Sequence, residues 1–400
     1  MESSDHRPAN VLRHPSLPED AGFETICAHW AEDRGAQRGA AAPPIYQTST
    51  FVYPDAEAFE QRLTPASPNY DYTRVGNPTT AVLEQKLAKL ERGSWCRCFA
   101  SGMGAVSAAI NACVKSGSHV VAVAHCYWPT RRYLRDYLSR FGVSTTFVDG
   151  CDPADFVAAF RSETELLMLE SPTTGHFEVP EIEPIARAAG ARGVTVLFDN
   201  SWATPYFLRP LELGCDLVVH SASKYIGGHS DLIAGALVGR DDELLARVGP
   251  EVELLGATLD PFAAWLLIRG LRTLGVRMEY HQKSALAVAR MLEEHRGVEC
   301  VNHPGLESHP QHAVAARQLE GYSSLFSFRP KEQSREAVHR ILNRLRLFSI
   351  GVSWGGHESL AIGGTMFNLD PKDPGRIIRL HVGLESTGDL IADLRHALEI

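Results

Sequence analysis

The sequence predicts an α/β fold with a mostly parallel mixed sheet covered by helices. Short, continuous apolar runs recur along the middle of the chain: Val120–Ala124, Leu166–Leu169, Val194–Phe198, Leu217–Val219 and Ile233–Val238. Runs that are apolar throughout, rather than alternating, are typical of strands buried on both faces. Stretches of helical composition such as Pro184–Gly190 separate them. This alternation of strand and helix predicts a sheet with helices on its faces.

The composition indicates a large buried core and leaves small molecules and proteins as the expected partners. The chain has 400 residues, of which 44% are hydrophobic, and a formal net charge of −9. A negative charge without a basic run argues against a nucleic acid or an anionic membrane as the main partner. No apolar segment approaches the roughly 20 residues that a membrane-spanning helix needs, and the first 24 residues lack the apolar region of a signal peptide. We therefore expect a soluble, cytoplasmic protein.

Eight cysteines are scattered along the chain without any CxxC pair. They lie mostly inside apolar stretches, so we interpret them as free thiols of the core rather than as disulfide partners or metal ligands. No metal site is predicted.

The chain divides into three predicted regions. Residues 1–65 are broken by prolines and lack sustained periodicity, which indicates an extended N-terminal arm. A large domain is expected over 66–265 and a smaller α+β domain over 266–400. Within the large domain, Asn77 and Pro78 have the pattern of a helix N-cap followed by proline at the first helical position.

The C-terminal region has a mixed pattern. It predicts a long helix that continues through 290–296, strands at Ser324–Phe328 and Ile377–Val382, and a closing helix. Ser386 and Asp389 have the spacing of a capping box at the start of that closing helix.

Two chemically distinctive residues follow neighbouring predicted strands. Asp199 comes directly after Val194–Phe198, and Lys224 follows Leu217–Val219 by five residues. Ligands of open α/β sheets bind at the carboxyl ends of the strands. Either residue alone could be an ordinary loop residue. Together, a lysine in an apolar setting and a nearby carboxylate suggest pyridoxal phosphate (PLP), since the lysine can form a Schiff base and the carboxylate can keep the pyridine nitrogen protonated.

Two further features fit this hypothesis. Ser101-Gly102-Met103-Gly104 opens an alanine-rich helix, whose N-terminal N–H groups can face a phosphate. Tyr127 follows the strand Val120–Ala124 and could stack on the pyridine ring. Each feature alone is common without a cofactor, because helices often start with Ser-Gly and tyrosines often lie at the rim of a core.

These residues belong to a wider resemblance. From about residue 43 to 400 the chain resembles the Cys/Met-metabolism family of PLP-dependent enzymes. The resemblance rests on seven motifs in the family's order: Pro44–Phe51, Tyr72–Thr79, Ser101–Met103, Asp199–Ala203, Ser221–Tyr225, Arg269–Leu274 and Arg379–Glu385. It implies the PLP-dependent transferase fold type I and PLP as the cofactor.

The resemblance also implies residue roles. Lys224 would bind the cofactor and move protons, Asp199 would pair with the pyridinium, and Tyr127 would stack on the ring and approach the substrate amine. The phosphate would be held by the following residues: Gly102, Met103, Ser221, Ser223, Tyr72 and Arg74. Tyr72 and Arg74 would reach in from a neighbouring subunit, which implies a homodimer as the minimum unit and a tetramer as the usual assembly. Arg379 would bind the substrate α-carboxylate, supported by Ser353.

The choice of reaction depends on fewer residues. Val352-Ser353-Trp354-Gly355-Gly356 and Tyr127-Trp128-Pro129 are similar to cystathionine β-lyase, whereas the segments around Asn77 and Met103 are similar to γ-type members. We therefore expect β-elimination on L-cystathionine or a related cysteine conjugate, giving homocysteine, pyruvate and ammonia, a transsulfuration step of methionine biosynthesis. A γ-type lyase, γ-synthase or O-acylhomoserine sulfhydrylase is the alternative, and a protein that binds PLP without turnover is a third.

Overall fold

The computed structural model describes residues 17–63, 70–364 and 376–399 of the chain. In the described part, seven strands form the larger sheet: β1 (Trp95–Phe99), β2 (His119–Val123), β3 (Ser144–Val148), β4 (Thr164–Glu170), β5 (Thr195–Asp199), β6 (Leu217–His220) and β7 (Gly235–Gly239). Their order is β1-β7-β6-β5-β4-β2-β3. Strands β2 to β6 run parallel to one another, and β7 is antiparallel to both β1 and β6. The prediction of a mostly parallel mixed sheet is confirmed.

Helices cover both faces of this sheet. In chain order the helices of the described residues are α1 (Phe23–His29), α2 (Ala56–Glu60), α3 (Pro78–Leu90), α4 (Gly102–Asn111), α5 (Trp128–Arg132), α6 (Pro153–Ala159), α7 (Ile182–Gly190), α8 (Thr204–Phe207), α9 (Asp242–Leu255), α10 (Pro261–Leu271), α11 (Leu274–Glu293), α12 (His312–Gln318), α13 (Arg335–Arg344) and α14 (Thr387–Leu398). None of them is long and apolar enough to cross a membrane.

Side-chain alternation along the strands explains the two cores of the larger sheet. Val121 and Val123 of β2 pack into one hydrophobic cluster, whereas Val120 and Ala122 pack into another. Successive side chains of a strand point to opposite faces, so these two clusters lie on opposite sides of the sheet. Both faces are therefore buried, as the continuous apolar runs predict.

The smaller sheet has its own core. It contains β8 (Val298–Asn302), β9 (Leu325–Pro330), β10 (Ser349–Ile350), β11 (Leu360–Gly364) and β12 (Ile377–His381), in the order β10-β11-β12-β9-β8. Its apolar cluster includes Phe326, Phe328 and Ile378 together with Leu390 and Leu394 of α14. The boundaries proposed at residues 65 and 265 stay predictions.

The five predicted strands of the larger sheet agree with β2, β4, β5, β6 and β7 to within two residues at each end. Strands β1 and β3 were not predicted. Arg97 interrupts the apolar pattern of β1, and β3 is an edge strand with a half-exposed surface. Asn77 caps α3 as predicted, with its side chain accepting a hydrogen bond from the Thr79 N–H at 2.9 Å.

The structure corrects three details of the sequence analysis. The predicted arm is not extended throughout, because α1 packs against α3 and Lys86 forms a buried ion pair with Glu32 at 3.0 Å. The predicted capping box is wrong, since Ser386 lies at the N-cap of α14 without a side-chain hydrogen bond to the helix. All eight cysteines are free, but Cys151 is only partly buried and Cys300 is exposed.

Candidate active site

A cavity opens at the carboxyl ends of β4, β5 and β6. These strands are parallel neighbours, so the residues that end them reach the same edge of the sheet. Five residues predicted for the site line this cavity: Tyr127, Asp199, Ser221, Lys224 and Arg379. The fold thus brings together residues from four separate segments of the chain.

Lys224 is held in a partly desolvated position. Its Nζ donates a hydrogen bond to Ser353 Oγ at 2.8 Å and lies 5.4 Å from the centre of the Trp354 ring. Burial, together with the nearby charge of Arg379, lowers the pKa of the Lys224 amine to about 8. About a tenth of this amine is therefore uncharged at pH 7, far more than for an ordinary lysine, and the uncharged form acts as a nucleophile or base.

Asp199 ends β5 inside the cavity. Its Oδ1 accepts a hydrogen bond from the Ser201 N–H at 3.0 Å. Burial raises the pKa of the Asp199 carboxyl, whereas the bonds from Ser201 and the nearby His220 imidazole oppose that rise. A buried carboxyl of this kind gains most from a cationic partner, because the partner removes the cost of its desolvated charge.

Glu91, the residue directly after α3, bonds to residues at the carboxyl ends of β5 and β6. Its Oε1 accepts hydrogen bonds from Asn200 Nδ2 at 2.8 Å and pairs with His220 Nε2 at 2.6 Å, and the Glu91 and His220 side chains are fully buried. Asn200 follows Asp199, and His220 precedes Ser221. Glu91 therefore fixes the positions of two cavity residues without reaching the cavity.

Arg379 enters the cavity from the smaller sheet, on β12. It is 7% exposed, and its Nη2 donates to the Val352 carbonyl at 2.5 Å. Burial lowers the pKa of Arg379 to about 10, so the guanidinium stays charged at neutral pH. A charged guanidinium in a desolvated cavity is suited to binding a carboxylate.

Tyr127 lies at the N-cap position of α5 and is 44% exposed. Burial of its hydroxyl group and the neighbouring Asp199 carboxylate raise the pKa of Tyr127. The phenol therefore keeps its proton at neutral pH and can donate it to a leaving group.

Residues 353–356 pack directly on the Lys224 backbone. Gly355 has φ +84°, and a Cβ atom at this position would lie 2.8 Å from the Tyr225 nitrogen and 2.9 Å from Lys224 Cα. Its N–H donates to His381 Nε2 at 3.1 Å. Both the backbone conformation and the close approach require glycine here.

Only some of the predicted phosphate ligands lie at the cavity. Ser221 lines the cavity, and a Cβ atom on Gly102 would lie 3.0 Å from the Ser221 side chain, so the start of α4 adjoins the cavity. Met103 packs instead against the core beneath α4. Ser223 points away from the cavity: its hydroxyl donates to the Ala234 carbonyl at 3.1 Å and accepts from the Ala234 N–H at 2.9 Å.

Tyr72 and Arg74 lie outside the cavity of their own chain. Tyr72 is 44% exposed and forms a β-bridge with Thr50. Arg74 Nη1 donates to the carbonyl of Glu253. Their assignment as phosphate ligands of a neighbouring subunit stays a prediction.

The residues around the cavity fit PLP. Lys224 offers an amine with a lowered pKa, Asp199 offers a buried carboxyl that benefits from a cationic partner, and Ser221 stands beside the N-terminus of α4. These are the groups that an aldehyde, a pyridine nitrogen and a phosphate respectively require.

The sequence analysis missed Glu170 as a site residue. Glu170 ends β4, lines the cavity and pairs in register with Asp199. It directly follows the apolar run Leu166–Leu169, so the rule that identified Asp199 would also have identified Glu170.

One cluster of possible metal ligands occurs among the described residues. His125, Asp149 and Glu178 place a ligand atom each within 4.8 Å of one another. His125 Nδ1 and Glu178 Oε2 already form a hydrogen bond of 2.8 Å, and the Asp149 side chain is 83% exposed. The prediction of no metal site stays a prediction.

Comparisons with known proteins agree with this geometry. The profile of the family described as Cys/Met metabolism PLP-dependent enzyme matches residues 24–399. L-methionine γ-lyase of Porphyromonas gingivalis is 41% identical over 391 residues, which cover 95% of this chain and 97% of that protein. Cystathionine γ-lyase of Dictyostelium discoideum is 36% identical over 394 residues, covering 96% and 99%. The crystal structure of metB from Corynebacterium glutamicum superposes with a TM-score of 0.89 at 32% identity, covering 96% of this chain and 99% of that one.

Proposed function

Since this chain belongs to the Cys/Met metabolism PLP-dependent enzymes, we propose that it is a carbon–sulfur lyase that performs γ-elimination on a sulfur amino acid of the L-methionine class. The balanced reaction converts L-methionine and water into methanethiol, 2-oxobutanoate and ammonia. Members of the family use PLP, and PLP is the cofactor of this chain.

The observation that carries the proposal is that Lys224, Asp199 and Arg379 line one cavity. The site thus combines an amine with a lowered pKa, an acid and a carboxylate-binding guanidinium. An α-amino acid bound by Arg379 would present its Cα hydrogen within this cavity, beside a base. The curated relatives at 41% and 36% identity are a methionine and a cystathionine γ-lyase, which supports γ-elimination over other reactions of the family.

Bound PLP would be held covalently by Lys224, and it supplies an electron sink for negative charge that develops at the substrate carbon atoms. The Asp199 carboxylate would stabilise the positive charge of a protonated pyridine nitrogen at its end of the cavity. Lys224 Nζ, once free, takes a proton from Cα. γ-Elimination needs a second proton removal at Cβ, and the same amine can perform it because its pKa of about 8 lies near the working pH.

The remaining cavity residues orient the substrate and protonate the leaving group. Arg379 binds the α-carboxylate, and Ser353 keeps the Lys224 amine directed through their 2.8 Å hydrogen bond. The Tyr127 hydroxyl, protonated at neutral pH, can deliver a proton to the sulfur as the thiol departs.

A homodimer is part of the proposal. Tyr72 and Arg74 do not line the cavity of their own chain, and Tyr72 is 44% exposed. The family resemblance assigns both residues to a neighbouring subunit's phosphate, so two chains would complete each other's sites.

β-Elimination of cystathionine, which the sequence analysis expected, is a second candidate. The comparisons favour the γ-type alternative. Trp354, part of the segment on which the expectation rested, nevertheless lines the cavity and lies against Lys224. The experiment that follows separates the two reactions.

The experiment is to incubate the purified protein with PLP and either L-methionine or L-cystathionine, and to identify the keto acid and thiol by mass spectrometry. We expect 2-oxobutanoate and methanethiol from methionine, and no products with the Lys224→Ala variant. Pyruvate with homocysteine from cystathionine would establish β-elimination instead. Cofactor binding without any keto acid from either substrate would contradict the proposal of a lyase.

A further inference from the structure

Glu170 is a buried acid with a precise set of contacts in the cavity. It ends β4, is 7% exposed and pairs in register with Asp199 on the neighbouring strand β5. Nothing in the mechanism above uses it. A carboxyl group buried this deeply is costly unless both of its oxygens find partners.

Both oxygens do find partners, and these belong to two different loops. Oε2 accepts a hydrogen bond from the Tyr127 backbone N–H at 2.8 Å. Oε1 accepts from the Thr174 hydroxyl at 2.6 Å. Glu170 therefore connects the loop after β2, which carries Tyr127, to the loop after β4, which carries Thr174.

The Tyr127 backbone needs the hydrogen bond to Glu170 to hold its position. Tyr127 is the N-cap residue of α5, and its own side chain makes no capping hydrogen bond to that helix. Tyr127 is 44% exposed, so packing restrains it only in part. A second hydrogen bond joins the same two loops: the Thr174 N–H donates to the His125 carbonyl at 2.9 Å.

We propose that Glu170 is a positioning residue that acts through Tyr127, holding its backbone so that the phenol stays over the cavity during the reaction. The Thr174 hydroxyl fixes the Glu170 carboxyl through their hydrogen bond. This inference rests on the proposed function only in so far as Tyr127 takes part in the reaction.

The chemistry of Glu170 suits a scaffold that must not disturb Asp199. Burial and the adjacent Asp199 charge raise the pKa of Glu170 to about 8, so its carboxyl is mostly neutral at pH 7. A neutral Glu170 retains both contacts, because Oε2 still accepts from the Tyr127 N–H while a protonated Oε1 can donate to the Thr174 hydroxyl oxygen. The loop stays anchored without a second negative charge beside Asp199.

The main test compares Glu170→Met with Glu165→Met. Glu165 lies on the same strand, and its side chain is 33% exposed and paired with Lys115, so it is the matched control. We expect Glu170→Met to lower kcat/KM by roughly 10-fold to 100-fold, since a thioether of similar size replaces both carboxyl oxygens. It should also weaken the visible circular dichroism of bound PLP, which reports how rigidly the cavity holds the ring. Glu165→Met should leave both signals unchanged. Glu170→Gln should stay close to the wild type, because its amide can accept from the Tyr127 N–H and donate to the Thr174 hydroxyl oxygen as the neutral carboxyl does.

A double-mutant cycle separates positioning from a general structural effect. In a Tyr127→Ala background, where the ring is absent, Glu170→Met should change kcat/KM by less than about 3-fold. Thr174→Val should reproduce part of the Glu170→Met effect in the wild-type background and none of it without the Tyr127 ring. An equal loss in both backgrounds, or a kcat/KM of Glu170→Met equal to that of the wild type, would overturn the inference.

The outcome is independent of which substrate the enzyme uses. The circular dichroism of bound PLP is measured without substrate, and it should change in Glu170→Met whether methionine or cystathionine is turned over. An inactive wild-type protein with an altered Glu170→Met spectrum would refute the proposed reaction while retaining this inference. An active wild-type protein with an unaltered Glu170→Met spectrum would do the reverse.

Discussion

The residues assigned to the cofactor fall into two sets that the fold treats differently. The ring set, Tyr127, Asp199 and Lys224, lines the cavity of a single chain. The phosphate set is divided: Ser221 lines the cavity, Gly102 adjoins it, and Ser223, Tyr72 and Arg74 make other contacts. Asp199 is placed by strand register, whereas most of the phosphate set lies in loops. Sheet register is internal to one chain, so the ring set can be complete without a neighbour.

The first way to test this contrast is to remove the centre of the ring set. Lys224→Ala should abolish the visible absorbance of bound PLP and lower turnover by at least about 10³-fold, because the nucleophile and the base are lost together. Absorbance spectra and keto-acid formation measure the two effects. Retention of either one would contradict the assignment, and Lys283→Ala on the outer helix α11 serves as the control.

The second test addresses the divided phosphate set. Arg74→Ala should raise the Kd for PLP by roughly 10-fold to 100-fold, the value of one charge-assisted contact to a phosphate. Under conditions where Arg74→Ala and Lys224→Ala are each inactive, an equal mixture of the two variants is refolded together. Half of the dimers are then hybrids, and each hybrid has one intact site out of two. The mixture should therefore recover about a quarter of the wild-type activity. A mixture that stays inactive would mean that Arg74 does not complete a neighbour's site.

The third test compares two serines within the phosphate set. Ser221→Ala should weaken PLP binding by about 10-fold, because its hydroxyl faces the cavity. Ser223→Ala should change the Kd for PLP by less than about 3-fold but lower the thermal midpoint, because its hydroxyl bonds the Ala234 backbone twice. The reverse pattern would show that Ser223 turns into the cavity when the phosphate binds.

The smallest expected effect concerns the pH at which Lys224 becomes reactive. Only the uncharged amine captures PLP, and burial holds the pKa of Lys224 at about 8. The rate of covalent PLP capture by the cofactor-free protein should therefore rise with pH through about 8 and level off above it. Because Arg379 also lowers this pKa, Arg379→Ala should move the midpoint to higher pH. Stopped-flow absorbance measures both curves, and a rate that keeps rising to pH 10 would indicate an unperturbed amine.

The sequence predicted the location of the ring set better than that of the phosphate set, for a physical reason. Asp199 and the segment of Lys224 follow apolar runs that are typical of buried parallel strands, and the carboxyl ends of such strands share one edge. The orientation of Ser223 depends instead on the backbone of Ala234, eleven residues away, which no local pattern indicates. The Met103 side chain packs against the core beneath α4, and its role at the phosphate stays a prediction.

The strands, too, were predicted well only where an apolar run is unbroken and buried. Strands of the larger sheet with unbroken apolar runs were predicted to within two residues, whereas β3, half-exposed at the sheet edge, was not. In the smaller sheet, β9 and β12 were predicted, but the two-residue strand β10 is too short and too exposed to leave a pattern. The buried pair of Glu91 and His220 joins residues 129 positions apart, so only the folded chain shows it.

Gly355 has a consequence for any attempt to recombine this enzyme with its relatives. It lies between β10 and β11 of the smaller sheet, yet it packs against the backbone of Lys224 at the edge of the larger one. A chimaera that joined the N-terminal part of one homologue to the C-terminal part of another would need a glycine at this crossing. The Gly355 contact is therefore one requirement for exchanging the two sheets between enzymes.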